Sequence, residues 1–248
     1  MNDALYKKFA KYYDKLYKSK DYSKEIDFAD KIIKKYIKVK RKNLLDVACG
    51  TGNHTSLLKH MGYVTVGIDS SSEMLRIARK KNKLIEFIKA DMKNFSMKNN
   101  FDVIICLFAS INYLKNYNDI KETLTNFYNQ LKNKGIVIFD LGINNRNLEK
   151  YVNKEPTYYL NKDLKIVRFT QYFYKTNRKF LTKRIFMFVK DKNKIDFSIN
   201  ENRMLLIDIN KVRKMMQKIG FEVKIYDNFS FKEFNNKGEK PVFVGIKR

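Results

Sequence analysis

A glycine-rich run follows the first apolar stretch of the chain and comes just before a segment with helical spacing. The run reads Asp46-Val47-Ala48-Cys49-Gly50-Thr51-Gly52-Asn53. Backbone N–H groups in such a turn, together with the positive end of the following helix, can face a ligand. Glycine suits the turn because a Cβ would keep the ligand away from the backbone. The pattern is weak evidence alone, since the third glycine of a dinucleotide fingerprint falls on Thr55.

Two acidic residues follow the next two apolar runs. Asp69 closes the run at 64–68, and Asp91 follows the run at 85–89, next to Met92. An acid at Asp69 can bind both hydroxyls of a ribose, and one at Asp91 can accept a hydrogen bond from an adenine amine. Either could alone be a solvated loop acid. Three ligand-compatible strand ends in succession favour a site at the carboxyl edge of a sheet.

The elements that position these residues alternate along the first 141 residues. Apolar runs at 44–48, 64–68, 85–89, 101–107 and 136–141 predict strands, and helical patterns occupy 55–60, 72–81 and 119–131. Ser70, Ser71 or Ser72 would cap the second helix, and Lys134-Gly135 would stop the third. One or two further helices are predicted over 6–40, with a break at 20–23. This alternation predicts right-handed βαβ units and a parallel sheet.

The second half of the chain has a different pattern of predicted elements. Alternating segments at 165–174, 181–190 and 197–206, separated by Lys, Asn and Asp turns, are typical of an antiparallel sheet. A helix is then expected over 208–219, stopped by Gly220, and a closing strand pair at 221–226 and 241–246. We expect residues 1–142 and 207–248 to form the main domain, with a helical lid at 1–40. Residues 143–206 would form an antiparallel insert that caps the acceptor site.

The chain is strongly basic, with 52 Lys and Arg against 26 Asp and Glu among 248 residues. This excess would suit a nucleic-acid partner if it were clustered, but the lysines are spread over nearly every predicted element. Compositional bias of the genome is the simplest explanation, while an anionic small substrate and RNA stay open. Cys49 and Cys106 have no partner for a disulfide framework or a zinc site, so no metal is expected. With no apolar run of membrane-spanning length, we expect a cytoplasmic protein without membrane contact.

The segments 46–52, Gly67-Ile68-Asp69 and Ala90-Asp91-Met92 resemble the class I S-adenosylmethionine-dependent methyltransferases. Tyr13-Asp14-Lys15-Leu16-Tyr17, the helix start at Ser72 and the terminal Phe243-Val244-Gly245 resemble the N,N-dimethyltransferases of nucleotide-linked amino sugars. The resemblance implies an α/β fold with a Rossmann-like, doubly wound seven-stranded sheet whose last strand is antiparallel. It also implies that the antiparallel β insert covers the active site.

The same resemblance implies S-adenosyl-L-methionine as the cofactor. Tyr13 and Tyr22 would close over it, and Ala48, Met74, Met92 and Leu107 would line its pocket. The complete predicted cofactor site is Tyr13, Tyr22, Asp46, Ala48, Gly50, Gly52, Asn53, Asp69, Ser70, Met74, Asp91, Met92 and Leu107. His54 is expected to pack or form a hydrogen bond nearby, and His60 to sit on a solvated helix end.

The catalytic residues depart from the amino-sugar pattern. The histidine that those enzymes carry after the fourth strand is replaced here by Tyr113, and the tryptophan that follows their acidic residue after the fifth strand, here Asp140, is absent. Tyr113, Asp140 and Tyr13 are the catalytic candidates, with Asn112 as a further possible relay. Each has a structural alternative: Asp140 could cap a loop, Tyr113 could pack in the core, and Asn112 could satisfy backbone groups.

These observations predict a methyltransferase for a small molecule, N-directed, with a nucleotide-linked amino sugar as one possible acceptor. An RNA (tRNA or rRNA) methyltransferase is the first alternative, and a non-catalytic cofactor- or RNA-binding module is the second. The acceptor would lie between Tyr13, residues 110–113, Asp140 and the insert at 165–203. Basic side chains of the insert could pair with an acceptor phosphate; the candidates are Arg168, Arg178, Arg184 and Arg203.

Overall fold

The computed structural model of the protein describes residues 4–40, 42–98, 100–144, 156–174, 179–235, 238 and 240–248. The larger of its two sheets contains β1 (Asn43–Val47), β2 (Val64–Asp69), β3 (Glu86–Lys89), β4 (Phe101–Cys106), β5 (Leu131–Asp140), β10 (Phe221–Asp227) and β11 (Pro241–Lys247). The helices are α1 (Tyr13–Leu16), α2 (Tyr22–Tyr36), α3 (Asn53–His60), α4 (Ser72–Lys81), α5 (Tyr117–Gln130) and α6 (Ile209–Ile219).

The larger sheet has the strand order β10-β11-β5-β4-β1-β2-β3. Strands β1 to β5 pair in parallel, whereas β11 runs antiparallel to both of its neighbours. The predicted Rossmann-like, doubly wound seven-stranded sheet is therefore confirmed. The chain winds outward from β1 on one side and from β4 on the other, so a crevice opens where these two strands end.

Caps and apolar faces explain the helices beside this crevice. The Ser71 side chain caps α4 by accepting a hydrogen bond from the Met74 backbone N–H, and Met74, Leu75 and Ala78 form its buried face. Helix α6 is capped by Asp208 and ends at Gly220, whose φ of 119° favours glycine.

The end of α5 corrects one prediction. The helix was expected to continue to Leu131 and stop at Lys134-Gly135, but it ends at Gln130, and Leu131 begins β5. Leu131 is fully buried and pairs with Phe101, so tertiary pairing outweighs the helical pattern. Gly135 has a different role from the one expected. A Cβ there would lie 2.8 Å from the Lys132 carbonyl oxygen, so the strand needs glycine for close backbone approach.

The N-terminal segment is less regular than expected. Two short 3₁₀ helices, Ala4–Tyr6 and Ala10–Tyr12, precede the single turn of α1, and only α2 is a long helix. Its N-cap is Asp21, so Tyr22 and the residue after it belong to the helix and not to the predicted break at 20–23. Aromatic side chains explain the irregularity because they pack in several directions, with Tyr12 against the insert and Tyr13 toward the crevice.

The predicted insert is a separate antiparallel sheet of β6 (Thr157–Leu160), β7 (Leu164–Tyr174), β8 (Phe180–Asp191) and β9 (Lys194–Leu205). One end of its inner face packs on the N-terminal segment through the apolar residues Leu164, Ile166, Met187 and Val189. Residues 145–155 lie outside the described part, so the domain boundaries at 142–143 and 206–207 stay a prediction. No helix among the described residues has the length and apolar character needed to cross a membrane.

Candidate functional site

A cavity of about 710 Å³ lies at the carboxyl ends of β1, β2, β3 and β4, within the size range of small-molecule sites. The sequence-predicted residues that line it come from the N-terminal segment, the glycine-rich turn and the loops after the strands. They are Tyr13, Tyr22, Ala48, Gly50, Asn53, Asp69, Ser70, Met74, Asp91, Met92 and Leu107. Residues almost 100 positions apart are thus brought together at one edge of the sheet, as parallel strand ends require.

Asp69 holds the glycine-rich turn in place. One of its carboxylate oxygens accepts a hydrogen bond of 2.9 Å from the Gly50 backbone N–H, and the other accepts one of 2.8 Å from the Ser71 N–H. Gly50 has a φ of 58°, in the region that favours glycine. Burial raises the pKa of Asp69, and the backbone hydrogen bonds oppose that shift. The turn is therefore fixed by an acid that also faces the cavity.

Two predicted cofactor residues, Asp46 and Gly52, are not among the residues that line the cavity. Asp46 lies behind the turn, fully buried, where it accepts a 2.5 Å hydrogen bond from the Thr55 hydroxyl. Burial raises its pKa to about 6. Gly52 caps α3, and a Cβ there would lie 2.8 Å from the Phe87 ring. Both residues shape the turn from behind.

The N-terminal segment closes against the glycine-rich turn through Asp14. Its carboxylate accepts hydrogen bonds from the Thr51 hydroxyl at 2.6 Å and the Asn53 amide at 3.0 Å. The Lys81 ammonium forms an ion pair of 2.7 Å with the other oxygen of the same carboxylate. Burial raises the pKa of Asp14, but its hydrogen bonds to Lys81 and Thr51 outweigh burial and leave the pKa lowered. Sequence reasoning missed this contact, although Asp14 lies inside the Tyr-Asp-Lys-Leu-Tyr motif that it singled out.

A buried ionic network joins the N-terminal segment to the ends of β5 and β11. Glu25 pairs with His54 at 2.7 Å, with Lys20 at 2.5 Å and with Lys240 at 3.4 Å. Lys240 also pairs with Asp140 at 3.0 Å. His54 therefore forms a hydrogen bond near the cavity, as expected. His60 is exposed and bonds the Ser56 carbonyl within α3.

Asp140, a predicted catalytic residue, does not line the cavity. It is fully buried, and its carboxylate accepts a hydrogen bond from the backbone N–H of Ala109 as well as the ion pair from Lys240. Ala109 has a positive φ of 59°, so Asp140 fixes the strained turn after β4. This matches the loop-capping alternative. Asp140 can act on a ligand only through the position of that turn.

Tyr113 and Tyr13, the other two predicted catalytic residues, do line the cavity. The Tyr113 hydroxyl lies 3.2 Å from the Tyr6 hydroxyl, which sequence reasoning missed, and the two rings meet edge to face. Asn112 takes the backbone-satisfying role, since its amide donates to the carbonyls of Ile143 and Leu205. Tyr6 and Tyr113 thus place two phenols side by side at this end of the cavity.

Tyr22 lies where α2 begins and contributes a second kind of polar group. Its ring packs edge to face on His54 with centroids 5.0 Å apart. Burial raises its pKa to about 12. The Tyr22 hydroxyl is buried beside the Asn53 side chain, at the edge of the cavity that both residues line.

None of the described residues of the insert lines the cavity, and the acceptor site expected there stays a prediction. Arg168 is nonetheless buried on the insert's inner face, where it donates to the Tyr17 hydroxyl at 2.8 Å. Arg184 pairs with Glu201, away from the cavity, and Arg203 is exposed. Arg178 lies outside the described residues. Of the three predicted arginines that the structure describes, Arg168 is the one that bonds a tyrosine of the N-terminal segment.

Comparisons with known proteins agree with this geometry. Residues 44–135 match the family described as a methyltransferase domain. The dTDP-3-amino-3,6-dideoxy-alpha-D-glucopyranose N,N-dimethyltransferase of Streptomyces fradiae is 32% identical over 123 residues, which are 50% of this chain and 48% of that protein. The chain spans about half the length of the curated relatives that it matches.

Solved structures match nearly the whole chain. An S-adenosylmethionine-dependent methyltransferase from Clostridium acetobutylicum is 26% identical, with a TM-score of 0.81 and 98% of both chains covered. Streptomyces venezuelae DesVI shares the fold at 21% identity, with a TM-score of 0.77 and coverage of 93% of this chain and 94% of that one. The domain match over residues 44–135 and the shared fold identify a class I S-adenosylmethionine-dependent methyltransferase domain in this chain, with a resemblance to amino-sugar N,N-dimethyltransferases.

Proposed function

We propose that this protein transfers a methyl group from S-adenosylmethionine to the amine of a small molecule, with a nucleotide-linked amino sugar as the first acceptor to test. One observation carries the proposal. A single cavity joins the acidic strand ends, Asp69 and Asp91, to a tyrosine-lined end formed by Tyr6, Tyr13 and Tyr113. The acidic end suits a nucleoside, and the phenolic end suits an amine whose proton must be removed.

The acidic end supplies the groups that a nucleoside cofactor needs. Asp69 would accept hydrogen bonds from ribose hydroxyls, and Asp91 would accept one from the adenine amine beside Met92. Ala48, Met74 and Leu107 provide apolar contact between these polar groups. When bound, S-adenosylmethionine supplies a methyl group that its sulfonium already activates.

The chain's own residues would therefore mainly position the amine and exclude water. The N-terminal segment covers the cavity because Asp14 ties it to the glycine-rich turn. These residues would hold the amine nitrogen in line with the methyl group that the bound cofactor supplies. The proton then leaves the methylated nitrogen. Tyr113, which lies within hydrogen-bond distance of Tyr6, is the group we assign to orient the amine and pass this proton toward water.

The names of similar proteins support an amine acceptor. Besides the amino-sugar enzyme, a glycine/sarcosine N-methyltransferase of Aphanothece halophytica is 32% identical over 124 residues, covering 48% of this chain and 47% of that protein. Both names describe methylation of a nitrogen on a small molecule. The identity is confined to about half of each protein, so the acceptor has to be found by experiment.

The deciding experiment incubates the purified protein with methyl-labelled S-adenosylmethionine and, separately, a dTDP-amino sugar, glycine and bulk tRNA. Mass spectrometry should show mass gain on an amine of a small molecule, and none with Asp69→Ala under the same conditions. Methylation of tRNA at one position at physiological salt would instead favour the RNA enzyme. Cofactor binding without turnover on any acceptor would favour the non-catalytic module.

A further inference from the structure

The middle of the insert's inner face is mostly polar, with Ile185 as a buried apolar residue among the polar ones. The apolar residues Leu164 and Met187 pack at one end of this face, and Leu181 and Met204 pack at the other. Between these ends lies a set of inward-facing polar residues that we call the inner belt, comprising Arg168, Thr170, Tyr172, Lys183, Asn200 and Asn202. The inner face packs against the rest of the protein at both ends and carries polar side chains in between. Such a face is suited to enclose a polar ligand.

Lys183 lies at the centre of the inner belt. It is only 7% exposed, and Tyr172 lies directly opposite it on β7. Among the described residues, no carboxylate forms an ion pair with its ammonium, and the charged and titratable groups that act on it are phenols and Arg168. Burial lowers the pKa of Lys183, but the phenols of Tyr113, Tyr17 and Tyr172 outweigh burial and leave the pKa above its ordinary value. The side chain is therefore a buried cation at neutral pH.

Arg168 is a second buried cation in the inner belt. It is 9% exposed and donates hydrogen bonds to the Tyr17 hydroxyl at 2.8 Å and the Thr157 hydroxyl at 3.0 Å. Its Nε atom is buried and has no partner within the described part of the chain. No carboxylate of the described residues forms an ion pair with this guanidinium.

Burying two cations without an anion destabilises a folded protein. The phenols of Tyr113, Tyr17 and Tyr172 favour the charged form of Lys183, but a neutral phenol does not replace the counter-charge of an anion. The cost is reasonable if a ligand brings the missing negative charge into the site. Guanidinium and ammonium groups together are a common recognition set for phosphate and carboxylate.

We propose that Lys183 and Arg168 form a subsite that binds an anionic group, phosphate or carboxylate, of the methyl acceptor. Tyr113 connects this subsite to the cofactor cavity, since it lines the cavity and also packs with Tyr172 against the apolar cluster at the end of the insert. An acceptor whose amine lies at Tyr113 would extend its anionic group toward Lys183. This inference rests on the proposed function and narrows its acceptor to amines that carry a negative charge.

The test measures anion binding directly, so that it does not depend on turnover. Calorimetric titrations of the protein saturated with S-adenosylhomocysteine would use three probes: acetate, inorganic phosphate and thymidine diphosphate. We expect at least one of them to bind, and we expect Lys183→Met to weaken that binding roughly tenfold or more, because a charge-assisted contact is lost. Arg168→Gln should weaken the same probe. The probe that binds identifies the carboxylate or the phosphate class.

Lys190→Met is the matched control, because Lys190 lies on the same strand with its side chain exposed on the other face. It should leave the affinity unchanged. Equal affinity in Lys183→Met and the original protein, or the absence of binding by every probe, would overturn the subsite. If Lys183→Met does not fold, Lys183→Gln and Arg168→Gln provide the same comparison.

Unchanged affinity for S-adenosylhomocysteine shows that each variant is folded. Failure of the subsite can be told apart from failure of the proposed function. Loss of anion binding in Lys183→Met supports the subsite even if no amine is methylated. Methylation of an uncharged amine with the same kinetic constants in both proteins would support the enzyme and overturn the subsite.

Discussion

The carboxylate of Asp14 accepts a 2.6 Å hydrogen bond from the hydroxyl of Thr51, so the N-terminal segment is tied to the turn that would hold the cofactor. Asp14→Asn should weaken this tie and the ion pair with Lys81. We expect S-adenosylmethionine to dissociate roughly three- to tenfold faster, which corresponds to the loss of about one hydrogen bond. Stopped-flow displacement of the cofactor measures this rate. Asp27→Asn changes an exposed acid on α2 and should leave the rate unchanged. An unchanged rate in Asp14→Asn would show that Asp14 does not hold the N-terminal segment over the cofactor.

Asp69→Ala should lower cofactor affinity by at least tenfold, because a charged acceptor for the ribose hydroxyls is lost at about 1.5–3 kcal/mol per hydrogen bond. The change also removes the acceptors for the Gly50 and Ser71 backbone N–H groups. Thermal unfolding must therefore be measured beside the calorimetric titration. A folded variant with full affinity would contradict the ribose role.

Glu25 should make stability depend on pH. Burial raises its pKa, but the hydrogen bond and charge of His54 and the charges of Lys240 and Lys20 outweigh burial and lower it from 4.5 to about 2. A lowered acid pKa stabilises the folded state above the unfolded pKa, and this contribution is lost as pH falls toward the folded pKa. The original protein should therefore have a larger free energy of unfolding than the Glu25→Gln variant. This difference should be largest near pH 7 and should decrease below about pH 4.5.

Urea unfolding of both proteins between pH 3 and pH 7 provides the measurement. At neutral pH we expect Glu25→Gln to lose about 3 kcal/mol, because breaking a buried ion pair leaves cations unpaired. Glu86→Gln, an exposed residue on β3, should follow the original protein throughout. A constant difference at all pH values would show that Glu25 keeps its ordinary pKa in the folded state.

Tyr113→Phe should lower turnover by roughly 10²-fold, the range of a lost general base, while cofactor affinity stays the same. Tyr6→Phe is the informative companion, because it removes only the partner hydroxyl 3.2 Å away. A large effect of Tyr113→Phe with a small effect of Tyr6→Phe assigns the proton to Tyr113. Equal turnover of Tyr113→Phe and the original protein on an identified amine would show that Tyr113 has a packing role and does not carry the proton.

The fold could be predicted largely from sequence because its signals are local. Apolar runs ending in Asp46 and Asp69 and the serine cap of α4 each specify their own element, and the strand order follows from right-handed connections. The end of α5 was wrong because the pairing of Leu131 with Phe101 is a tertiary contact. The residues at strand ends that are expected to bind the cofactor could be predicted for the same reason, because each lies at or just after the end of a strand in the sequence.

The polar contacts around the cavity could not be predicted, because they join distant parts of the chain. Glu25 and Lys240 are 215 positions apart, and neither lies in a motif. Asp140 has the position of a catalytic acid at the end of a strand, yet Lys240 and the Ala109 backbone N–H occupy its carboxylate. Lys183 is one of many lysines, and only its burial distinguishes it.

The short stretch from Lys8 to Asp14 has a kinetic consequence. On one side Lys8 pairs with Asp196, and the Tyr12 hydroxyl donates to Asp191, while on the other side Asp14 binds Thr51. Because this stretch contacts both the insert and the glycine-rich turn, it cannot move away from one without loosening its contacts with the other. We therefore expect opening at the glycine-rich turn and opening at the insert to be coupled, so that a ligand bound at one end would lengthen the residence time of a ligand at the other.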